Sequence, residues 1–254
     1  MLGLNDDLLG AMTRKILATS GGFIQRKATG GHEPGGLMLK ALELTGKERP
    51  RVTFIMTASG DDSAYLATMY SAMSRVPCDV DHLSLFMMPN HNSAELIGKS
   101  DIVWVGGGSV VNLLAVWRAH GLDAIMHDAW DQGTILAGVS AGSICWHVGG
   151  PTDSYGKELR PALDGLALLP YGNGVHYDSE AQRRPLVHDL VHKELLPLTF
   201  ATDDRIGILY ENTEPVAVYS DYEVDPLTGP AAYRVEKVGK EVVETRMPVG
   251  KIEL

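Results

Sequence analysis

Ser140 stands in Gly138-Val139-Ser140-Ala141-Gly142, a Gly-x-Ser-x-Gly pattern directly after the apolar run Thr134-Ile135-Leu136-Ala137. A serine on a strained strand-to-helix turn projects its hydroxyl from the sheet edge, and flanking glycines avoid collision with the adjoining strand and helix. The chemistry on offer is nucleophilic attack on an acyl carbon, with the Ala141 N–H placed to donate to the developing oxyanion. A plain Gly/Ser turn in a buried βα unit gives the same pattern. At neutral pH a hydroxyl also needs a base, usually a histidine oriented by a carboxylate. Nine histidines are available. His147 follows the serine by seven positions on the helix the turn opens, which makes it structural, and His120 and His127 fall in or beside helical stretches as surface residues. His188 and His192 have the i, i+4 spacing of a metal pair without a third ligand motif, so an exposed helix face is expected there. His176 differs, because it lies in the loop-like segment Tyr171-Gly172-Asn173-Gly174-Val175-His176-Tyr177-Asp178. Loops on a rigid scaffold are where catalytic groups are commonly presented. No histidine follows His192, so the order Ser, acid, then a late His of the α/β-hydrolases does not fit. The order Ser140, His176 and then a later carboxylate fits better, with Asp203 and Asp204 as candidates at the turn before Arg205-Ile206-Gly207-Ile208-Leu209.

These groups need a scaffold, and the first two thirds of the chain alternate β-branched runs with helical patterns, as parallel βαβ units do. Strands are expected at Lys15-Ile16-Leu17-Ala18-Thr19, Arg51 to Met56, Asp81 to Phe86, Asp101 to Val105 and Thr134 to Ala137. Helices are expected at Leu37 to Leu44, Ala64 to Ser74, Ser93 to Lys99, Val110 to His120 and Asp123 to Gln132. After Pro151 turn residues multiply, and short strands are expected at 205–210, 216–219, 232–238 and 242–246, as an antiparallel extension of the same sheet. The fold class expected is α/β, a three-layer α/β/α sandwich with a mostly parallel sheet and an antiparallel C-terminal extension. With no repeat, low-complexity tract or linker visible, residues 1–254 are read as one domain.

Composition narrows the function. The chain has 254 residues, 44% hydrophobic and 21% charged, and a formal net charge of -10. That acidic balance argues against a nucleic-acid backbone as partner. Two cysteines, Cys78 and Cys145, are too few for a disulfide framework. Met1 to Asp7 shows no basic region before an apolar stretch, so no signal peptide is expected. Gln132 to Thr152 lacks charged residues, but its five glycines and His147 argue for a buried strand, turn and helix rather than a membrane span. A cytoplasmic location is expected, with no membrane partner, metal or cofactor. Oligomeric state is not readable from these residues, and a homodimer stays open.

The assembled pieces resemble the peptidase E family (aspartyl dipeptidase, S51-type) of serine peptidases, whose sheet is similar to the class I glutamine amidotransferase fold. They are Phe54-Ile55-Met56-Thr57-Ala58-Ser59, Val103-Trp104-Val105-Gly106-Gly107-Gly108-Ser109, Ala137 to Gly142, His176-Tyr177-Asp178 and Ala201-Thr202-Asp203-Asp204, in family order over roughly residues 50 to 210. The resemblance implies Ser140 as nucleophile, His176 as general base and Asp204 as the orienting acid, with Asp153 as the competing acid. It implies that Gly107 or Gly108 joins Ala141 in donating to the oxyanion. It also implies a small peptide substrate, with an N-terminal Asp for which Arg183 and Arg184 supply the cation; the alternative is two solvated arginines beside a helix start. Ser109 and Ser143 depart from the Asn and Ala of many relatives, which bears on substrate preference.

Two other readings compete. An amidotransferase-like enzyme would use Cys145, although that class places its cysteine at the elbow itself, and Cys145 also reads as a small buried residue. A non-catalytic module would cradle phosphate on Gly106-Gly107-Gly108, although Val111 occupies the third glycine position of the dinucleotide fingerprint. A catalytically inactive relative that keeps the fold fits the same residues.

Overall fold

The computed structural model describes residues 13–27 and 30–252. Met1 to Asp7, read above for a leader, lies outside the described residues. In chain order the strands are β1 (Lys15–Thr19), β2 (Phe23–Gln25), β3 (His32–Pro34), β4 (Arg51–Ile55), β5 (Asp79–Leu83), β6 (Ile102–Val105), β7 (Ile135–Val139), β8 (Gly150–Thr152), β9 (Arg160–Ala162), β10 (Gly172–Gly174), β11 (Thr199–Thr202), β12 (Ile206–Glu211), β13 (Glu214–Ser220), β14 (Ala232–Val238), β15 (Glu241–Met247) and β16 (Gly250–Lys251). The helices are α1 (Gly36–Glu43), α2 (Ser63–Met73), α3 (Ser93–Gly98), α4 (Val110–Ala119), α5 (Leu122–Asp131), α6 (Ala141–Ile144) and α7 (Arg183–His192).

An eight-stranded sheet runs β16-β13-β12-β1-β7-β6-β4-β5. The five strands from β1 to β5 in that order are mutually parallel, and β12, β13 and β16 add antiparallel to the β1 side. Parallel strands covered on both faces must be apolar on both, and alternate residues then serve opposite layers. In β6, Val103 and Val105 enter the core under α4 and α5, while Ile102 and Trp104 enter the core under α1 and α2. In β1, Ile16 and Ala18 take the first side and Leu17 the second. The result is an α/β/α sandwich. Helix starts follow their capping residues: Asp62, Asn92 and Ser109 side chains accept backbone N–H bonds from Tyr65, Glu95 and Asn112.

The tail departs from expectation. β12, β13 and β16 extend the main sheet, but β14 and β15 join β10 and β11 in a second, four-stranded sheet, order β10-β11-β14-β15. α7 packs on that sheet through Val187, Leu190 and Val191, against Ala201 and Val235. The third strand of the main sheet starts and ends earlier than expected, at Asp79–Leu83, and the residues that follow turn onto Asp61, whose carboxylate accepts from the backbone N–H groups of Leu85 and Phe86. Among the described residues no helix is long and apolar enough to cross a membrane.

Candidate active site

The carboxyl ends of parallel strands are where open α/β sheets bind ligands, and three loops meet there: 19–22 after β1, 106–109 after β6 and Ser140 after β7. Ser140 has φ 58° and ψ −113°, a conformation costly for any residue with a side chain. The turn is held by a bond from the Ser140 N–H to the Thr19 carbonyl, 3.0 Å. The flanking glycines are there for close approach: a Cβ at Gly138 would meet the Gly142 carbonyl, and one at Gly142 the Val105 carbonyl. α6 is a single turn, so its first N–H groups lie at the elbow, and that of Ala141 has no partner among the described residues.

The glycine loop faces the elbow. A Cβ on Gly107 would sit 3.2 Å from Ser140 Cβ. Its N–H groups are not equivalent. That of Gly106 bonds the Ile55 carbonyl at 3.0 Å, and that of Ser109 the Ala58 carbonyl at 2.8 Å. Burial pushes the Tyr65 phenol up, and the nearby Gly107 N–H partly offsets that push. Gly108 (φ 133°) has an N–H without a protein partner among the described residues. The N–H groups of Gly107, Gly108 and Ala141 all lack a hydrogen-bonded protein acceptor among the described residues. The start of α4 has little left for a phosphate, since the Val110 N–H bonds Ser154 Oγ at 3.0 Å and that of Asn112 the Ser109 cap.

His176 follows β10, so the segment read as a loop is partly strand, edged onto β11. Its φ is 52°. Nδ1 lies 2.6 Å from Asp204 Oδ1, and Asp204 is itself held by a bond from its N–H to Asp178 Oδ1, 2.8 Å. With Nδ1–H donating to the carboxylate, Nε2 is the nitrogen left to accept. The neighbouring Asp203 is buried and turned to β14, where its Oδ2 accepts from the Ala231 N–H at 2.9 Å and the Tyr233 hydroxyl at 3.2 Å. Burial raises its pKa.

Ser140 and His176 line one cavity of about 440 Å³, together with Gly108, Ser109, Asp153, Ser154, Glu180 and Arg183. No direct hydrogen bond joins Ser140 Oγ to the imidazole among the described residues, a looseness common in sites without substrate. Asp153 lines this cavity, but the carboxylate that meets His176 is that of Asp204. Ser154 and Glu180 were not singled out in the sequence, where nothing distinguishes them from turn residues. A second cavity of about 560 Å³ adjoins, with Asp153 and Glu180 common to both. A larger hollow, about 650 Å³, opens at the amino ends of the strands, lined by Lys15, Asp101 and Thr134, away from any of these groups.

The two arginines part company. Arg183 is 2% exposed, bonded through Nε to Glu180 Oε2 at 2.8 Å and through Nη1 to the Pro151 carbonyl, and it lines the cavity. Arg184 lies elsewhere: it pairs with Glu244 and its guanidinium stacks over the rings of Tyr177 and Tyr233 at 4.4 and 4.5 Å. Arg183 is therefore buried, whereas Arg184 is partly exposed and ion-paired. His147 is fully buried, with Nδ1 2.9 Å from the Ser143 carbonyl, and lies beyond the end of α6. His188 meets Glu244 at 2.8 Å. Cys145 is buried, which pushes its thiol well above the usual range and leaves it un-ionised.

A half-buried alcohol, an imidazole braced by a carboxylate and unpaired backbone N–H groups are the parts of an acyl-transfer site. Comparison with known proteins agrees in kind. The sequence pattern of peptidase family S51 matches residues 16–215. The chain belongs to peptidase family S51. Membership makes it a peptidase, and serine chemistry fits the family. Like it is an uncharacterized peptidase, YgaJ, of Bacillus subtilis (strain 168), 35% identical over 238 residues, which are 93% of this chain and 98% of that one. Two solved structures share the S51 chain's fold. One is a peptidase from an acI-B1 actinobacterium, with TM-score 0.69, 15% identity and 96% and 98% of the two chains covered. The other is a putative peptidase E protein from Listeria monocytogenes EGD-e, with TM-score 0.57, 16% identity and 82% and 98% covered.

Proposed function

We propose that this S51 peptidase is a serine exopeptidase of the dipeptidase type, acting on small peptides through an acyl-enzyme. The observation that carries the reading is the 2.6 Å contact of His176 Nδ1 with Asp204 on the wall of the cavity that holds Ser140. Ser140 Oγ attacks the scissile carbonyl as its proton passes to His176 Nε2, and the C–N bond then breaks as that proton moves to the leaving amine. Water repeats the sequence on the ester and frees the acid and Ser140. Asp204 keeps the imidazole in the tautomer with Nε2 free and faces the imidazolium that forms. The Gly108 and Ala141 N–H groups, with Gly107 beside them, hold the oxyanion; each donor of this kind contributes about 10²–10³ in rate.

The cavity supports a short substrate. Its volume of about 440 Å³ is that of a small-ligand site. Arg183 is the cation within it, so an N-terminal Asp side chain would meet its guanidinium, with Glu180 beside it for the α-ammonium group. Arg184 takes no part in that contact. Purified protein should label with a serine-directed phosphonate, and mass spectrometry should locate the adduct on Ser140. Ser140→Ala should lose at least about 10³ in turnover of Asp-X dipeptides. Retained turnover in that variant, or an adduct elsewhere, removes the assignment. Faster cleavage of Ala-X than of Asp-X would remove the acidic preference alone.

A further inference from the structure

Ser140, His176 and Arg205 have positive φ without being glycine, at 58°, 52° and 66°. Each is tied by its own N–H to one of two adjacent residues, Thr19 at the end of β1 and Ser20 just after it. The Ser140 N–H bonds the Thr19 carbonyl at 3.0 Å, and the Arg205 N–H the Ser20 carbonyl at 2.9 Å. The His176 N–H bonds not a carbonyl but the Ser20 hydroxyl, at 3.1 Å. That hydroxyl is buried and continues to Thr202, 2.7 Å from its Oγ1 and 3.2 Å from its carbonyl. Thr202 closes β11, two residues before Asp204. One side chain on the main sheet therefore touches the backbone on both sides of the imidazole–carboxylate pair, both of which come from the second sheet.

We propose that Ser20 is a positioning residue of the S51 site, whose hydroxyl holds His176 in the left-handed backbone conformation from which its ring reaches Asp204. The proposal rests on the triad reading above. A left-handed non-glycine residue persists only where its surroundings over-determine it, and here the N–H bond to Ser20 and the ring bond to Asp204 fix His176 at both ends. Without the hydroxyl, the half-buried His176 N–H is left unpaired, and the backbone relaxes to recover a partner. The ring then leaves Asp204, while Arg183 and Glu180 on the same cavity keep the bond that joins them.

The test is the rate of Ser140 modification by a fluorophosphonate, resolved into the maximal rate and the half-saturating concentration. Ser20→Ala should lower the maximal rate at least about tenfold and change the half-saturating concentration less than about twofold. Ser20→Thr, which keeps the hydroxyl, should recover most of the rate. Ser20→Ala that reacts at the wild-type maximal rate overturns the proposal. So does equal loss in the Ala and Thr variants, because the hydroxyl is then not what is being read. If the wild type itself takes no adduct, or takes one outside Ser140, it is the triad reading that fails, and the two failures are told apart by that control.

Discussion

Asp203 and Asp204 adjoin in the chain but have different partners. Asp204 Oδ1 meets His176, whereas Asp203 Oδ2 is bonded to the backbone and hydroxyl of β14, with its Oδ1 buried and unpaired. Asp204→Asn should lower kcat/KM by about 10³–10⁴, because the amide stabilises the wrong imidazole tautomer. Asp203→Asn should stay within about tenfold of wild type, since its amide oxygen keeps both acceptor bonds. Steady-state kinetics on one dipeptide separates the two. No local signal divides this pair: both stand at the same turn, and only the resemblance favoured Asp204. Arg183 and Arg184 were equally inseparable, because burial of one and stacking of the other depend on Pro151, Tyr177 and Tyr233, all remote from a helix start in local terms. A further residue-scale effect concerns His147. Burial lowers its pKa from 6.5 to about 4. Between those values the unfolded chain binds a proton that the folded chain refuses, so stability falls as pH drops from about 6.5 towards 4. Urea unfolding should show about 2 kcal/mol less stability at about pH 5 than at about pH 7.5 from this group, and His147→Gln should remove that part of the slope. An unchanged slope in the variant would place the effect elsewhere.

Elements with strong local signatures were legible. β1, β4, β6 and β7 combine apolar runs with glycine or capping residues at their ends, and each lies within about one or two residues of its expected position. β10 was not, because Gly-Asn-Gly carries no strand propensity and pairs only since β11 lies beside it. The hairpin of β2 and β3 and that of β8 and β9 were missed for the same reason, with His, Pro and Arg at ladder positions. The helix after the elbow was overextended: α6 stops at Ile144, and the chain then turns to bond Leu166 and Tyr171. The elbow's glycines make a sharp prediction. Gly138→Ala places a methyl group on the Gly142 carbonyl and should cost about 1–3 kcal/mol or more in urea unfolding. Gly98→Ala, at the end of α3 with open space around its Cβ, should be neutral or stabilising by up to about 1 kcal/mol. Similar costs at both positions would mean that the contact at Gly138 is not what decides them.

Across the whole molecule, the question is whether the second sheet is a separate unit. It does not form its own core on the side facing β12. Phe200 of β11 lies in the main core cluster, with ring centroids 5.0 Å from Tyr171 and 5.9 Å from Tyr210 of β12. Ala232 and Met247 of β14 and β15 lie in the same cluster. We therefore expect residues 13–252 to unfold in one transition, with fluorescence and circular dichroism coincident. Phe200→Ala should lower the unfolding free energy by about 3–5 kcal/mol without splitting that transition. Two separated transitions would instead divide the chain at the second sheet. The partnership of β14 with β11 was the part of the fold least legible in the sequence, since strand alternation tells which face is buried and says nothing of which neighbour buries it. The division of labour between the sheets has a further consequence. Ser140 belongs to one sheet and the His176–Asp204 pair to another, so on the proposed triad peptide cleavage requires both sheets to be joined, and a single cooperative transition would switch that capacity on and off as a whole.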